Sequence, residues 1–351
     1  MIYLFDLEYV ETRYTAQWKT ELPQQIADTT GSDVTIIEGP ADIAGEPTPG
    51  AFLDFGGTNI YKSAQVAQMS MFFKEGKVKD GDHFVFADAW HPGILQLKYM
   101  LELLQIKGTI HALWHAGSYD PYDFLGRLIG DAPWVRHTER ALFHSIDKNY
   151  FASKFHIELF VNTFGEEVAI QDKIVRTGWP MEYMEGSLSL YENMPKRNLI
   201  LFPHRMAPEK QPAIFQDLKK AMPQYEFVVC QEKQLSKNEY HNLLGSAKLI
   251  FSANLQETLG ISWYEGVLLN VIPMIPNRLS YKEMALSKFA YPSEWTQDME
   301  SYRANKQNIM NKIDDYMENY VKYVPAILKQ KERLKDKFFS GNKLYGVITN
   351  G

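Results

Sequence analysis

The feature that most constrains this 351-residue chain is the regular alternation of short apolar runs with longer amphipathic segments. Short apolar runs predict buried strands, and apolar residues at helical spacing predict helices between them. In the second half, strands are predicted at 198–203, 225–230, 247–252 and 271–274, and helices at 211–222, 236–245 and 260–269. Because strands that alternate with helices form parallel sheets, the sequence predicts an α/β, doubly wound fold.

The first half of the chain shows the same alternation of apolar runs and amphipathic segments. Its apolar runs predict strands at 1–7, 34–37 and 51–55, strands that begin at His83 and Gly108, and a last strand near Ile174. The predicted helices are 13–29, 93–104, 131–143 and one that starts near Phe151 and runs through Phe164, while residues 140–146 are expected to be partly strand. The sequence therefore predicts two Rossmann-like sheets, one in each half.

A chain of this length suffices for two domains of ordinary size. We expect an N-terminal domain over residues 1–180 and a second domain over 197–320, because the alternation is interrupted between them. Residues 181–196 lack clear periodicity and are predicted to be the linker. Residues 321–351 are predicted to be helical and to return to the N-terminal domain.

Composition narrows the function classes. The net charge of −6 argues against an overall electrostatic grip on nucleic acid or on an anionic membrane. A single cysteine, Cys230, excludes an internal disulfide framework and fits a reducing cytoplasm. No apolar run reaches the length of about 18 residues that would predict a membrane span, and the first residues lack the pattern of a signal peptide. We therefore expect a cytoplasmic protein.

The best-known catalytic motifs are missing from the sequence. It contains no P-loop, no H-E-x-x-H, no G-x-S-x-G and no G-x-G-x-x-G. An ATPase, a metalloprotease or a serine hydrolase of familiar type is therefore not expected.

Residues 251–266 combine two carboxylates with a glycine between a predicted strand and a predicted helix. On one helix, Glu257 and Glu265 would lie about 80° apart, so we expect Glu257 in the loop and Glu265 inside the helix. Both could then line a crevice at the end of a strand, where open α/β sheets bind ligands. Backbone N–H groups near Leu259, Gly260 and Ile261 would be free at the helix start to bind a phosphate.

This stretch resembles the E-x7-E signature of retaining glycosyltransferases with the GT-B fold, especially those of glycosyltransferase family 4. In that family a basic pair precedes the signature, and here Arg205 and Lys210 follow a predicted strand about 50 residues upstream. Downstream, residues 270–276 are similar to the family's next strand, with Asn270 and Pro273. The resemblance covers residues 196–290 and implies two Rossmann-like domains that face a central cleft.

The resemblance implies a nucleotide-diphosphate sugar as donor, with a UDP-sugar as the first choice, and no required metal. Arg205 and Lys210 would stabilise the departing diphosphate, where charge develops in the transition state. Glu265 would bind the ribose and Glu257 the donor sugar. The alternative is that these are a solvated Arg and Lys and two glutamates that complement a helix dipole.

In the N-terminal half, the resemblance implies a histidine near the donor sugar, and His115 is our choice over His91 and His111. Gly56 and Gly57 would let the donor approach a turn closely, although a structural turn is an equal alternative. Asp88 and Asp120 are candidates on the acceptor side, or else turn and cap residues.

The acceptor is predicted to be a hydroxyl of a glycan or of a small metabolite, or a hydroxymethylated base in DNA. Some phage enzymes of GT-B fold glycosylate such a base, which must be flipped from the stack; the protein would then act in the host cytoplasm. A local basic rim could be formed by Arg136, Lys148, Lys154, Lys173 and Arg176. A nucleotide-sugar epimerase, hydrolase or phosphorylase of the same fold and a non-catalytic nucleotide-sugar-binding protein are the alternatives. The oligomeric state is left open.

Overall fold

The computed structural model describes residues 1–11, 13–41, 43, 45, 54–130 and 132–350. The chain divides into two compact units. Unit 1 comprises residues 1–180 and 341–351, and unit 2 comprises residues 181–340. Each unit contains one parallel sheet.

Unit 1 is built on a six-stranded sheet in the order β2-β1-β3-β4-β5-β6. The strands are β1 (Ile2–Phe5), β2 (Val34–Ile37), β3 (His83–Phe86), β4 (Thr109–Trp114), β5 (Lys148–Phe151) and β6 (Ile174–Arg176). All neighbouring strands run parallel, with Ile2 beside both Val34 and His83. The strand order reverses at β1, which is the point where a doubly wound sheet opens a crevice at its carboxyl edge.

Helices cover the sheet of unit 1. They are α1 (Tyr14–Thr30), α2 (Phe55–Lys74), α3 (Gly93–Leu103), α4 (Phe124–Leu128), α5 (Pro133–Ser145), α6 (Lys154–Phe164) and α7 (Glu166–Ala169). Helix α1 buries Trp18, Leu22 and Ile26, which recur at helical spacing. The aromatic core under α6 includes Trp114 and Phe160, whose ring centroids lie 5.1 Å apart.

Unit 2 is built on a five-stranded sheet in the order β11-β10-β9-β7-β8. The strands are β7 (Leu199–Phe202), β8 (Glu226–Val229), β9 (Leu249–Phe251), β10 (Ile272–Pro276) and β11 (Ala290–Tyr291). The helices are α8 (Tyr183–Leu188), α9 (Pro212–Ala221), α10 (Lys237–Ser246), α11 (Ile261–Leu268), α12 (Tyr281–Met284), α13 (Met299–Glu318) and α14 (Tyr320–Lys337). Strands β7 and β9 pair in parallel, with Leu201 beside Ile250. Their carboxyl ends therefore lie at one edge of the sheet, which brings residues 203–210 next to residues 252–260.

After α14 the chain enters unit 1 again and forms helix α15 (Asn342–Asn350). Gln25 Nε2 of α1 donates a hydrogen bond to the hydroxyl of Tyr345 over 3.2 Å. Leu344, Tyr345 and Ile348 are buried in this helix. None of the helices within the described ranges has the length and hydropathy that crossing a bilayer requires.

Several predicted elements need correction. Of the strand predicted at 51–55, residues 51–53 lie outside the described residues, and Phe55 is the first residue of α2 because Asp54 caps that helix through the N–H of Gly56. The partial strand expected at 140–146 is wrong, since α5 continues to Ser145. The nearby strand is β5 at 148–151. Helix α6 starts only at Lys154, where Ser153 caps it.

Several short elements were not anticipated, helices α4, α7 and α12 among them, and one predicted helix is only partly described. The segment 181–196 contains α8, and a short strand, β11, extends the second sheet. Asp131, the first residue of the helix predicted at 131–143, lies outside the described residues, and α5 begins at Pro133.

Candidate functional site

The loop between β9 and α11 is shaped by Gly260. This residue occupies the N-cap of α11 with φ of +86°, in the left-handed region where a side chain is strained. A Cβ atom at this position would lie 2.4 Å from Cδ1 of Trp263. The local chain therefore requires glycine, and the sequence prediction of a helix start here is confirmed, with Ile261 as the first helical residue and Leu259 buried before it.

Glu257 lies in this loop, as predicted, and is held by three neighbours. Its Oε2 lies 3.4 Å from Nζ of Lys210 and 3.4 Å from Nδ2 of Asn254. Ser280 Oγ donates to its backbone oxygen over 3.2 Å. The side chain is 16% exposed, so the carboxylate is fixed in place while one side stays accessible to a ligand.

Lys210 ends a turn of 3-10 helix that follows β7. Its Nζ donates to the backbone oxygen of Gln256 over 2.5 Å and forms the ion pair with Glu257. The side chain is 7% exposed. A buried ammonium group is stabilised only if it is paired and hydrogen-bonded, so these contacts set its position closely.

The loop after β7 and the loop after β9 are joined by further contacts. Gln211, with φ of +51°, donates from Nε2 to the backbone oxygen of Ala253 over 2.7 Å. The N–H of Leu255 donates to the backbone oxygen of Glu209 over 2.7 Å. These contacts join the two loops, although about 45 residues separate them in sequence. Arg278, which follows β10, also donates to the backbone oxygens of Ala253 and Asn254, each over 2.7 Å, and so holds the loop after β9 from a third segment.

Arg205 lies three positions after the end of β7, in the same loop as Lys210. Its guanidinium forms an ion pair with Glu209, with NH2 2.7 Å from Oε1, and its side chain is 28% exposed. Glu209 is buried, and its backbone oxygen accepts from the N–H of Leu255 over 2.7 Å. The structure thus brings Arg205, Lys210 and Glu257 of the predicted set to one edge of the sheet.

His204 is a residue of this loop that the sequence analysis missed. It is 5% exposed, and Nδ1 lies 3.5 Å from the hydroxyl of Ser262, the second residue of α11. Its Nε2 is buried and has no hydrogen-bond partner among the described residues. Burial and the nearby charge of Lys210 hold the pKa of this imidazole well below its usual range. Its position beside Arg205, at the end of an apolar run, was the available sequence signal.

Glu265 is the fifth residue of α11, as predicted, and has different surroundings. Tyr240 donates its hydroxyl to Oε2 over 3.0 Å, and Nε2 of His241 lies 4.0 Å from Oε1. Burial raises the pKa of Glu265 to about 7, while the Tyr240 hydrogen bond and the charge of Lys237 act in the opposite direction. Tyr240 is a further residue that the sequence analysis missed, because nothing in its local pattern indicates this contact.

The predicted N-terminal histidine has partners at both ring nitrogens. Nε2 of His115 donates to the backbone oxygen of Ala87 over 2.5 Å, so the hydroxyl of Tyr14 donates to Nδ1 over 2.8 Å. Burial lowers the pKa of His115, and its ring centroid lies 4.1 Å from that of Trp179. A role of His115 towards a donor stays a prediction.

The two predicted glycines lie in the first turn of α2. The N–H of Gly56 donates to Oδ1 of Asp54 over 2.9 Å, so the helix start already holds a carboxylate. A Cβ atom on Gly57 would lie 2.5 Å from the backbone oxygen of Ile43. Close packing accounts for Gly57, and contact of these glycines with a donor stays a prediction.

Asp88 and Asp120, the two carboxylates predicted on the acceptor side, have different partners. Oδ2 of Asp88 lies 3.0 Å from Nζ of Lys62. Burial alone would raise the pKa of Asp88, but the charges of Lys62 and His115 lower it overall. Oδ1 of Asp120 accepts from the N–H of Tyr122 over 3.0 Å, which is a turn contact. Within the described residues, no group of three or more His, Cys, Asp or Glu side chains is placed to hold a metal ion.

No protein-family model and no curated protein matches the sequence. Solved structures match it with high coverage. The catalytic domain of starch synthase IV from Arabidopsis thaliana, bound to ADP and acarbose, superposes with a TM-score of 0.60 at 10% identity, over 100% of this chain and 99% of its own. Sucrose-phosphate synthase from Thermosynechococcus elongatus gives a TM-score of 0.57 at 12% identity, over 99% of this chain and 97% of its own.

The chain has the GT-B fold. The α/β fold class predicted from the alternation of strands and helices is thereby confirmed. The pneumococcal O-GlcNAc transferase GtfA, in complex with UDP and GlcNAc, is also similar, with a TM-score of 0.51 at 10% identity over 82% of this chain. This chain covers 61% of that transferase, so it spans about three fifths of its length.

Proposed function

We propose that this protein is a glycosyltransferase that moves a sugar from a nucleoside-diphosphate sugar, a UDP-sugar in the first place, to a hydroxyl acceptor. The observation that carries the proposal is the joining of Lys210 and Glu257 beside the amino end of α11, with Arg205 in the same loop. The structural neighbours support it, because the solved starch synthase IV holds ADP and the solved GtfA holds UDP.

The basic side of this site fits a departing diphosphate. The first N–H groups of α11 have no acceptor within the helix and favour an anion. Lys210 and Arg205 add two cations on the same loop. Cationic groups fixed where negative charge develops lower the barrier to bond breaking, and they do so without a metal ion.

The two glutamates would bind different parts of the donor. Glu257 is next to Lys210 and would accept hydrogen bonds from hydroxyls of the sugar. Glu265, held by Tyr240, would accept hydrogen bonds from the ribose hydroxyls. A carboxylate near a nucleotide site commonly has this second role.

We propose a retaining reaction, as in glycosyltransferase family 4. The bond from the anomeric carbon to the diphosphate oxygen breaks, and the acceptor oxygen bonds to that carbon on the same face. The proton of the acceptor hydroxyl passes to the departing phosphate oxygen, so the products are a glycoside and a nucleoside diphosphate. The chain then has to supply electrostatic stabilisation and positioning, and needs no base of its own.

The acceptor is proposed to be a glycan or a small metabolite. A hydroxymethylated base in DNA is a second acceptor class for the same chemistry. Arg136 of the expected basic rim is engaged within unit 1, because its NH1 donates to Oγ of Ser118 over 3.0 Å and pairs with Glu139. The net charge of −6 also gives no overall attraction for DNA, so a glycan or metabolite acceptor is favoured.

The first test is a thermal-shift panel with UDP, GDP and ADP, each compared with its monophosphate. Binding to the folded state raises the melting temperature by mass action, so the cognate diphosphate should raise it in a concentration-dependent way. Transfer of labelled sugar from the matching donor to glycan, small-molecule and hydroxymethylcytosine-DNA acceptors then follows. Label transfer supports a transferase, whereas release of free sugar or epimerised donor without acceptor would replace it with a hydrolase or an epimerase. Absence of any shift would contradict the proposed function.

A further inference from the structure

We propose that His204 donates a hydrogen bond from Nε2 to the β-phosphate of the donor and so touches the leaving group. This inference rests on the proposed function and deepens it, because it assigns the diphosphate a ligand outside the Arg205, Lys210 and Glu257 set.

The unmet hydrogen-bonding capacity of His204 is the starting point. Its ring packs edge-on against Phe202 with 5.1 Å between centroids, and the residue is 5% exposed. One ring nitrogen, Nδ1, is within reach of the Ser262 hydroxyl at 3.5 Å. The other, Nε2, is buried without a partner among the described residues. Buried polar groups are nearly always paired in native proteins, so the unpaired Nε2 of a histidine in the loop that carries Arg205 and Lys210 indicates a missing ligand.

The protonation state follows from the surroundings of the ring. Burial disfavours the imidazolium form, and the positive charge of Lys210 disfavours it further. A neutral imidazole carries one N–H and one lone pair. When the Ser262 hydroxyl donates to Nδ1, the N–H resides on Nε2. The missing partner is then a hydrogen-bond acceptor.

The electrostatics around the ring indicate that this acceptor is anionic. The amino end of α11, which carries Ser262, has partial positive charge, because the first N–H groups of a helix have no acceptor within the helix. Lys210 adds a full positive charge nearby. The neighbouring carboxylates of Glu209 and Glu257 already pair with Arg205 and Lys210. A phosphate oxygen would accept the hydrogen bond from the N–H of His204, and its negative charge would suit the positive charges around the ring.

The choice of the β-phosphate follows from the order of groups in the site. A nucleoside-diphosphate sugar runs from ribose through the α- and β-phosphates to the sugar. Glu265 and Tyr240 would hold the ribose end, whereas Lys210 is paired with Glu257 at the sugar end. His204 shares the loop after β7 with Lys210, which pairs with Glu257, so we assign to His204 the phosphate next to the sugar.

The experiment compares the affinity of three His204 variants for UDP, ADP and GDP and for the matching monophosphates by isothermal titration calorimetry. Gln places an amide N–H near the position of Nε2, Asn places one near Nδ1, and Ala places none. We expect His204→Ala to weaken binding of the cognate diphosphate roughly 10–100-fold, because hydrogen bonds to charged groups are of that strength. Binding of the monophosphate should be unchanged. His204→Gln should recover most of the loss, and His204→Asn should not.

His156 offers a matched control in unit 1. It is also a fully buried histidine, its Nε2 hydrogen-bonds the hydroxyl of Tyr119 over 2.6 Å, and its Nδ1 is buried without a partner among the described residues. His156→Gln should change the melting temperature and leave diphosphate affinity as in the wild type. The loss of diphosphate affinity in His204→Ala should also be the same at pH 6 and at pH 8, because the neutral imidazole of His204 donates its hydrogen bond at both pH values.

The outcomes separate the two proposals. If the wild type binds no nucleoside diphosphate, the proposed function fails and this inference fails with it. If the wild type binds one and His204→Ala binds it equally, or loses the monophosphate to the same degree, only the inference is overturned. If His204→Ala does not fold, the Gln and Asn variants decide, since equal losses in both would contradict a donor at Nε2.

Discussion

Two glutamates, eight positions apart, lie in opposite surroundings in unit 2. Glu257 is in a loop, beside the ammonium group of Lys210 and the amide of Asn254. Glu265 is inside α11, beside the hydroxyl of Tyr240, and burial raises its pKa to about 7. The same residue type is therefore held once by a cation and once by a neutral donor.

The different surroundings of Glu257 and Glu265 suggest how residues at the end of one strand can bind two unlike groups, a sugar and a ribose. Glu257, in the loop, can point at a ligand that binds and leaves, and its negative charge is balanced by Lys210. A helical residue is fixed in direction, and a carboxyl group with a neutral partner suits neutral hydroxyls such as those of a ribose. The comparison predicts that the two carboxylates respond differently to mutation, to pH and to ligand.

The largest effect is expected for Lys210→Ala. Loss of a cation at the leaving group should lower kcat by about 10²–10³-fold, the usual size for one electrostatic donor in an active site. Lys331 is a matched control, because it is also buried, at 8% exposure, and its Nζ lies 2.5 Å from Oε1 of Glu192. Both variants should lose stability, since each leaves a carboxylate without its cation.

Initial rates of sugar transfer and urea denaturation of both variants provide the measurement. Only Lys210→Ala should lose turnover. An equal loss of turnover in Lys331→Ala would mean that Lys210 acts through stability alone.

Much of this comparison could be predicted from local sequence. The strand before the signature, the loop position of Glu257 and the helical position of Glu265 follow from an apolar run, a glycine and an apolar helix face. Arg205 and Lys210 are indicated by the resemblance to glycosyltransferase family 4, in which a basic pair precedes the signature. These features depend on a few residues that are neighbours in sequence, and hydrophobic periodicity is informative about such local structure.

The rest depends on contacts between distant segments. The pair of Lys210 with Glu257 exists because β7 and β9 are neighbours, and strand order is not encoded in either strand. The burial of His204 has the same origin. Strand β5 was missed because it has four residues, Lys148 and Asn149 among them, and lies three residues after α5 and three before α6. A strand so short is recognised by its pairing with β4, which is a property of the fold.

The next effect is a pH dependence of stability that originates at Glu265. Burial raises its pKa from the ordinary value of about 4.5 to about 7 in the folded protein, so folding favours the protonated form. The stability that this carboxyl contributes is fully present below about pH 4.5, is lost progressively as the pH rises, and is almost all gone once the pH has passed about 7. Glu265→Gln removes that loss and should raise the free energy of unfolding at pH 8 by on the order of 3 kcal/mol relative to wild type.

Urea denaturation of wild type and Glu265→Gln at pH 5 and at pH 8 measures this effect. At pH 5 the difference should shrink to about 1 kcal/mol or less, which makes the low-pH measurement an internal control. A difference that is the same at both pH values would contradict a raised pKa of Glu265.

The smallest effect, and the one that separates the two glutamates most directly, is on nucleotide affinity. Glu265→Ala removes the proposed acceptor of the ribose hydroxyls and should weaken binding of the cognate nucleoside diphosphate about tenfold, the value of one or two hydrogen bonds. Glu257→Ala removes a negative charge 3.4 Å from Lys210, so the same nucleotide should bind equally well or more tightly. Calorimetry with the diphosphate and with the free nucleoside measures both changes, and only Glu265→Ala should weaken the nucleoside. Weaker diphosphate binding in both variants would mean that the two carboxylates share one ligand group, and the division of roles between loop and helix would then be wrong.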